Sequence, residues 1–375
     1  MRTLLTLAFL LSAALATAAS AVEQTDVYVS GQDGYHTYRI PAIVRAPNGS
    51  LLAFAEGRKS AGGDAGNIDI LLKRSTDGGR TWSAQQVVWD DADNTCGNPC
   101  PVVDATTGTV WLLLTHNLGT DHENAIITKK AKSTRTVWVT SSRDHGATWA
   151  APTEITRTTK DPSWGWYATG PGVGIQIKHG PHAGRLVIPC DHSYDDPAGK
   201  VRGGPYEYGS HAIFSDDHGR TWQLGGVIRP KVNECQVAEL FDGRGTLLMD
   251  MRSYFSRSRR THARSSDGGR TWSVPQDAPQ LVEPVCQASL LRHEPNLLLF
   301  SNPADPKARV RLTVRASADD ARTWRDVAEL HAGPSAYSCL VSLDAQTAGC
   351  LYERGDKKAY EKITFARVAV APARP

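Results

Sequence analysis

By type and setting, the residues of this 375-residue sequence that could do chemistry are a few arginines, two acids and a tyrosine. Arg39 stands in Tyr38-Arg39-Ile40-Pro41, and Arg58 closes Phe54-Ala55-Glu56-Gly57-Arg58. Arg252 ends the strand-like run Leu247-Leu248-Met249-Asp250-Met251-Arg252, and Arg309 ends a turn-rich stretch that begins at Asn302. A guanidinium is a permanently charged planar fork whose paired N–H donors match a carboxylate. One arginine alone reads as a solvated surface charge, so only a group of them brought together would hold an anion. Asp64 lies in the glycine-rich Ala61-Gly62-Gly63-Asp64-Ala65-Gly66, where a carboxylate can move and carry a proton. Its neighbour Asp69 is embedded in the strand-like Ile68-Asp69-Ile70-Leu71-Leu72. Glu234, in Val232-Asn233-Glu234-Cys235-Gln236, and Tyr337, in Ser335-Ala336-Tyr337-Ser338-Cys339, complete the set. No Cys-x-x-Cys pair and no His/Cys cluster with zinc-ligand spacing occurs, so a structural metal is not expected.

Side chains spread from Arg39 to Tyr337 can meet only if the architecture keeps returning the chain to one place. A repeat of the form Ser-x-Asp-x-Gly-x-Thr-Trp does occur, at Ser75 to Trp82, Ser142 to Trp149, Ser215 to Trp222, Ser265 to Trp272 and, with Ala321 for Gly, Ser317 to Trp324. Its residue types are those of a hairpin turn. Asp and Ser accept hydrogen bonds from amides just ahead, Gly supplies positive φ, and Thr-Trp restarts a strand. Short apolar runs flank each octet and helical periodicity is nowhere sustained, which predicts an all-β chain. The octet tryptophans are 67, 73, 50 and 52 residues apart, room for four short strands and their loops. At that spacing the chain divides into about six units. The expectation is a six-bladed β-propeller forming one domain over residues 22–375, with five blades bearing an octet and the sixth joining N- and C-terminal strands. A two-sheet sandwich would set no such period. The octets are turns on the rim and carry no activity of their own.

Arg39-Ile40-Pro41 followed by this series of Asp-box repeats resembles the exo-α-sialidases (neuraminidases), over about Tyr35 to Tyr352. The resemblance implies a retaining glycosidase, without cofactor, that releases terminal α-linked sialic acid from glycoproteins, glycolipids or oligosaccharides. It places Arg39, Arg252 and Arg309 on the substrate carboxylate, with Arg58 as a further arginine that props or touches it. Arg58 paired only with Glu56 is the alternative, and Arg311 is the neighbour to which the third assignment could slip. Tyr337 becomes the nucleophile and Glu234 the base that takes its proton. A phenol suits the task because it approaches neutral, whereas an anionic carboxylate would meet the carboxylate already on the anomeric carbon. Tyr352 and Tyr360 compete with Tyr337, and Glu239 reads as a charge on the opposite strand face. Asp64 becomes the acid that protonates the leaving oxygen and the base that then activates water. Asn98, Trp111, Asn117, Asp121, Trp164 and Tyr167 are candidate sugar contacts, while Arg257, Arg259 and Arg260 read as an exposed loop. A trans-sialidase, an intramolecular sialidase and a sialic-acid lectin are the rival readings.

The remaining features set the context. With 42 basic and 39 acidic residues the net charge is +3, which offers no broad basic field for nucleic acid. Arg2, the apolar run from Leu4 to Leu15 and the small residues up to Ala21 form a secretory signal over residues 1–21, too short for a membrane anchor. The mature chain is expected to be secreted or periplasmic. Export permits disulfides, with Cys96–Cys100 and Cys339–Cys350 as candidate pairs and buried thiols as the alternative.

Overall fold

Short runs of branched and aromatic residues separated by Gly, Asp and Asn leave the backbone little choice but to pair as strands. The computed structural model describes residues 22–370, and it is an all-β structure. Helix among the described residues is confined to Glu123–Ile127, Thr156–Thr159 and a 3₁₀ turn at Val201–Gly203. The signal sequence expected at 1–21 and the last five residues of the expected domain lie outside the described residues. No helix among the described residues is long and apolar enough to cross a membrane.

The strands follow one another as antiparallel meanders. Thr37–Arg45, Leu51–Arg58, Ile68–Ser75 and Gln86–Trp89 pair in sequence. Thr95–Val103, Val110–Asn117, Thr136–Ser142 and Thr153–Glu154 do the same. The next meander sets Tyr167–Thr169 and Ile175–Gln176 on Leu186–Asp195, followed by Tyr206–Ser215 and Gln223–Ile228. Val232–Glu239, Leu247–Ser253, Arg259–Ser265 and Gln276–Val282 come next. Ser289–His293, Leu297–Pro303 and Val310–Ser317 then lead into the long strand Arg325–Asp344, which crosses to pair with Thr347–Arg354. The chain ends are tied as expected, since Lys362–Ala369 pairs with both Thr347–Arg354 and the N-terminal Glu23–Val29.

Two of the first strands of the meanders show how deeply the inner strands are buried. Thr37–Arg45 is buried at eight of its nine positions, and Val232–Glu239 throughout. Thr37–Arg45 packs against both Thr95–Val103 and Arg325–Asp344, and Val232–Glu239 lies between Leu186–Asp195 and Ser289–His293. The ends of these inner strands therefore face one another, which is what lets residues remote in sequence share a cavity.

The octets fold as the turn chemistry requires. Ser75 Oγ donates to Asp77 Oδ1 and accepts from Gly79 N at 2.8 Å, while Thr81 N and Thr81 Oγ1 donate to the Asp77 carboxylate. The same bonds recur at Asp144, Asp217, Asp267 and Asp319. Trp82 and Trp149 pack edge-on against Phe365 and Phe54, each on a neighbouring meander. The turns thus fasten one meander to the next instead of only closing their own hairpin. All seven cysteines are buried and free, which corrects the paired alternative. Cys96 and Cys100 share the strand Thr95–Val103 instead of bracketing a loop. Cys339 sits opposite Leu351 and Cys350 opposite Leu340, so strand alternation sends the two thiols to opposite faces. Arg260 is a second correction, because it lies fully buried on Arg259–Ser265, bound to Asp250 and Glu283.

Four of the turns place a glycine at φ between 83° and 90°, whereas Ala321 occupies the same position at φ 65°. A Cβ in the left-handed region is strained, so Ala321→Gly should raise the unfolding free energy by roughly 0.5–1 kcal/mol despite the added chain entropy. Urea denaturation read by tryptophan fluorescence checks this.

Candidate active site

The inner strands break register at one end, and the residues displaced by these irregularities build a cavity. The ladder slips between Arg39 and Ala42, between Gly97 and Cys100, between Val232 and Cys235, and between Ser335 and Ser338. A bulge re-aims side chains that regular pleating would send to alternate faces. Here the slips contain or abut Arg39, Ile40, Asn98, Asn233, Glu234 and Tyr337, and all six line a single cavity of about 290 Å³. Ile40 and Asn98 hold φ of 57° and 53°. Such a conformation is costly for a β-branched residue and persists only where its surroundings fix it.

Glu353 is the fixing group at Ile40. Its Oε1 accepts from Arg39 Nε at 2.7 Å and from Ile40 N at 3.0 Å, and its Oε2 accepts from Tyr337 N at 3.0 Å. One fully buried carboxylate therefore ties the strand of Arg39 to the strand of Tyr337. Tyr337 Oη donates to Glu234 Oε1, and Arg252 Nη1 donates to Glu234 Oε2 at 2.7 Å and to the phenol oxygen at 3.3 Å. Burial, with the Glu234 charge beside it, pushes the Tyr337 phenol well above its usual range, while Arg252, Arg39 and Arg309 pull the other way. At rest the phenol is neutral and hydrogen-bonded to a carboxylate.

Asp64 stands at the mouth, its side chain 59% exposed, 2.8 Å from Arg58 Nη2 and 4.0 Å from Arg39 Nη1. Burial works to raise the pKa of this carboxyl, but Arg58 and Arg39 outweigh it and hold the group below the ordinary range. Arg58 also binds Glu56 at 2.6 Å, so it is shared between Glu56 and Asp64 and not paired with Glu56 alone. Arg309 donates to Tyr360 Oη at 2.9 Å and to the Val285 carbonyl at 3.2 Å, with no carboxylate partner among the described residues. Arg252 Nε is buried without an acceptor. Arg309 consequently keeps its charge uncompensated and available to an anion.

The seven residues expected at the site, Arg39, Arg58, Asp64, Glu234, Arg252, Arg309 and Tyr337, all line this cavity. Their rivals mostly lie elsewhere. Asp69 is bound to Tyr35 and Lys59, Tyr352 reaches Gln24, Glu239 holds His179, and Arg311 pairs with Glu329 on the surface. Tyr360 does border the cavity, as a partner of arginines. Of the candidate sugar contacts only Asn98 lines it. Asn117 instead accepts from Arg135, Asp121 caps the amides of Lys132 and Ser133, and Trp164 is stacked on His192 at 3.6 Å. Trp111 packs against the Gly219 turn, and Tyr167 reaches the Thr159 carbonyl.

The family model of the BNR repeat-like domain matches residues 49–350. The chain is 34% identical to the sialidase of Micromonospora viridifaciens, over 92% of this chain and 54% of that protein. It is 31% identical to Sialidase-2 of Mus musculus, over 91% and 94% of the two chains. The chain belongs to the sialidase family. The solved structure of a Hadza microbial sialidase superposes with a TM-score of 0.79 at 32% identity, covering 92% of this chain and 68% of that one. A leech intramolecular trans-sialidase, at 17% identity and a TM-score of 0.78, shares the fold. The chain spans only 54% and 61% of the sialidases of Micromonospora viridifaciens and Bacteroides fragilis.

Several cavity residues escaped sequence reasoning. Arg135 is buried, its guanidinium 4.0 Å over the Trp166 ring and bound to Asn98, Thr115 and Asn117. With only neutral partners in that desolvated position, its pKa falls to about 10. Asp191 accepts from Asn233 Nδ2 at 2.8 Å, and burial, then Glu234, pushes its carboxyl far up. Glu123 pairs with Arg202 and accepts from Tyr208 Oη, and Tyr254 lines the same wall. None of these stands in a motif. The available signal was the position of Asn233 directly before the motif residue Glu234.

Removing the charge of Glu353 leaves Arg39 uncompensated in the protein interior. Glu353→Gln is expected to cost about 3 kcal/mol of folding stability. Equilibrium urea denaturation measures it, and an unchanged midpoint would deny Glu353 the role of tie between the two strands.

Proposed function

We propose that this protein is a retaining exo-α-sialidase that hydrolyses terminal α-linked sialic acid from glycoproteins, glycolipids or oligosaccharides. The observation that carries the reading is Tyr337 hydrogen-bonded to Glu234 in an arginine-lined cavity where Arg309 has no carboxylate partner among the described residues. Arg39, Arg252 and Arg309 hold the substrate carboxylate, with Arg58 steadying Asp64 and the clamp. Tyr337 Oη attacks the anomeric carbon and passes its proton to Glu234, while Asp64 protonates the departing glycosidic oxygen. Water then attacks the sialyl-tyrosine, Asp64 takes the water proton, and Glu234 returns a proton to the phenol. Two displacements at one carbon restore the α-anomer.

Binding of the substrate anion to Arg39 and Arg58 fits this scheme, because it draws positive charge away from Asp64 and raises its carboxyl toward the protonated form the first step needs. Hydrolysis is preferred over transfer because relatives at about 30% identity include an exo-alpha-sialidase of Arthroderma benhamiae as well as sialidases. We also read the antiparallel meanders as the six blades of one β-propeller over residues 22–375, supported by the pairing of the N- and C-terminal strands. We further read residues 1–21 as a secretory leader, from the apolar run Leu4 to Leu15 and the small residues up to Ala21, and the chain as exported to the periplasm or the medium.

The purified protein should release the fluorophore from a 4-methylumbelliferyl sialoside. Tyr337→Phe should lower kcat by roughly 10³-fold or more. Asp64→Asn should impair sialyllactose, with its poor leaving group, more than the aryl sialoside. Failure of the parent on every sialoside linkage would reject the activity, and an unimpaired Tyr337→Phe would reject the nucleophile.

A further inference from the structure

Tyr360 lies on the segment between Thr347–Arg354 and Lys362–Ala369, outside every motif that marks the site. Arg39 Cζ sits 3.9 Å from the centroid of its ring, closer than the 5.1 Å to the Tyr337 ring. Its hydroxyl accepts from Arg309 Nη1 at 2.9 Å. One side chain thus touches two guanidinium groups that arrive from opposite ends of the sequence. Its loop is held in place, because the Glu361 carboxylate accepts from the amides of Asp356, Lys357 and Lys358, and Ser30 Oγ donates to the Tyr360 carbonyl.

The chemistry of this partner matters. A carboxylate in the same place would fix the two arginines but cancel the charge they need for an anion. An aromatic face and a neutral hydroxyl orient guanidinium groups through the ring quadrupole and a single hydrogen bond, and leave the net charge intact. We infer that Tyr360 is a positioning residue for the carboxylate clamp, acting through Arg39 and Arg309. The inference rests on the sialidase reading given above. It assigns Tyr360 to ground-state binding of the carboxylate and not to bond breaking.

The test compares the full-length parent with Tyr360→Phe, which keeps the ring over Arg39 and loses only the bond to Arg309, and with Tyr360→Leu, which loses both. Binding of 2-deoxy-2,3-didehydro-N-acetylneuraminic acid is measured by calorimetry, and sialoside hydrolysis is measured in parallel. Tyr360→Phe should weaken the inhibitor and raise KM by roughly three- to tenfold, with kcat within about twofold of the parent. Tyr360→Leu should raise both further, in the same order. Unchanged inhibitor affinity and KM in Tyr360→Phe would overturn the inference. So would a loss of kcat at constant KM, the pattern expected if substitution merely reduced the folded fraction. A parent that binds the inhibitor without turning over sialosides would sink the enzymatic reading while leaving the binding comparison decisive for Tyr360.

Discussion

Gathering like charges around one small cavity is the constraint on which the rest of this structure depends. Six arginines, Arg39, Arg58, Arg135, Arg202, Arg252 and Arg309, line about 290 Å³. Two unit charges about 6 Å apart repel by about 3 kcal/mol at an effective dielectric near 20, so such a cluster survives only with compensation. The compensation is uneven. Glu353, Glu56, Glu123 and Glu234 each bind one arginine. Arg135 and Arg309 are satisfied by amides, hydroxyls, a carbonyl and an aromatic face. Charge is neutralised where the fold needs an anchor and left uncompensated on Arg309, where an anion would dock.

The backbone meets this demand by departing from regular strand geometry at the inner ends of the meanders. A regular strand presents every second side chain to one face, so consecutive residues such as Asn233 and Glu234 could not both reach the cavity. The register slips remove that restriction, and buried polar groups hold the slipped backbone in place. Glu353 does so for Ile40 and Tyr337, Glu56 for the amide of Asn98, and Gln287 for the amide of Ser338. The shape of the cavity and the slipped backbone therefore depend on the same buried carboxylates.

Much of this was legible in the sequence, for reasons that differ by element. The turns could be read because their chemistry is local: Ser and Asp accept from amides within four residues, and Gly supplies the positive φ. Arg39, Asp64, Glu234 and Tyr337 could be read because each sits in a recognisable short motif. Arg135, Asp191 and Tyr360 could not, since what qualifies them is the company of residues tens to hundreds of positions away. Arg260 looked exposed beside Arg257 and Arg259, and only its pairing with Asp250 and Glu283 shows it as a buried strut. The cysteines looked pairable by spacing, but Cys96 and Cys100 lie along one strand, and alternation sends Cys339 and Cys350 to opposite faces.

The central claim is that the neutral, Glu234-bound phenol of Tyr337 forms a covalent bond to the anomeric carbon. Incubation with 2,3-difluorosialic acid, whose C2 fluoride leaves readily and whose C3 fluorine slows breakdown of the product, tests it directly. Intact-mass spectrometry with peptide mapping is predicted to find one sialyl adduct per chain, on the peptide that contains Tyr337. An active enzyme that forms no adduct, or carries it on a carboxylate such as Asp64 or Glu234, would contradict the account.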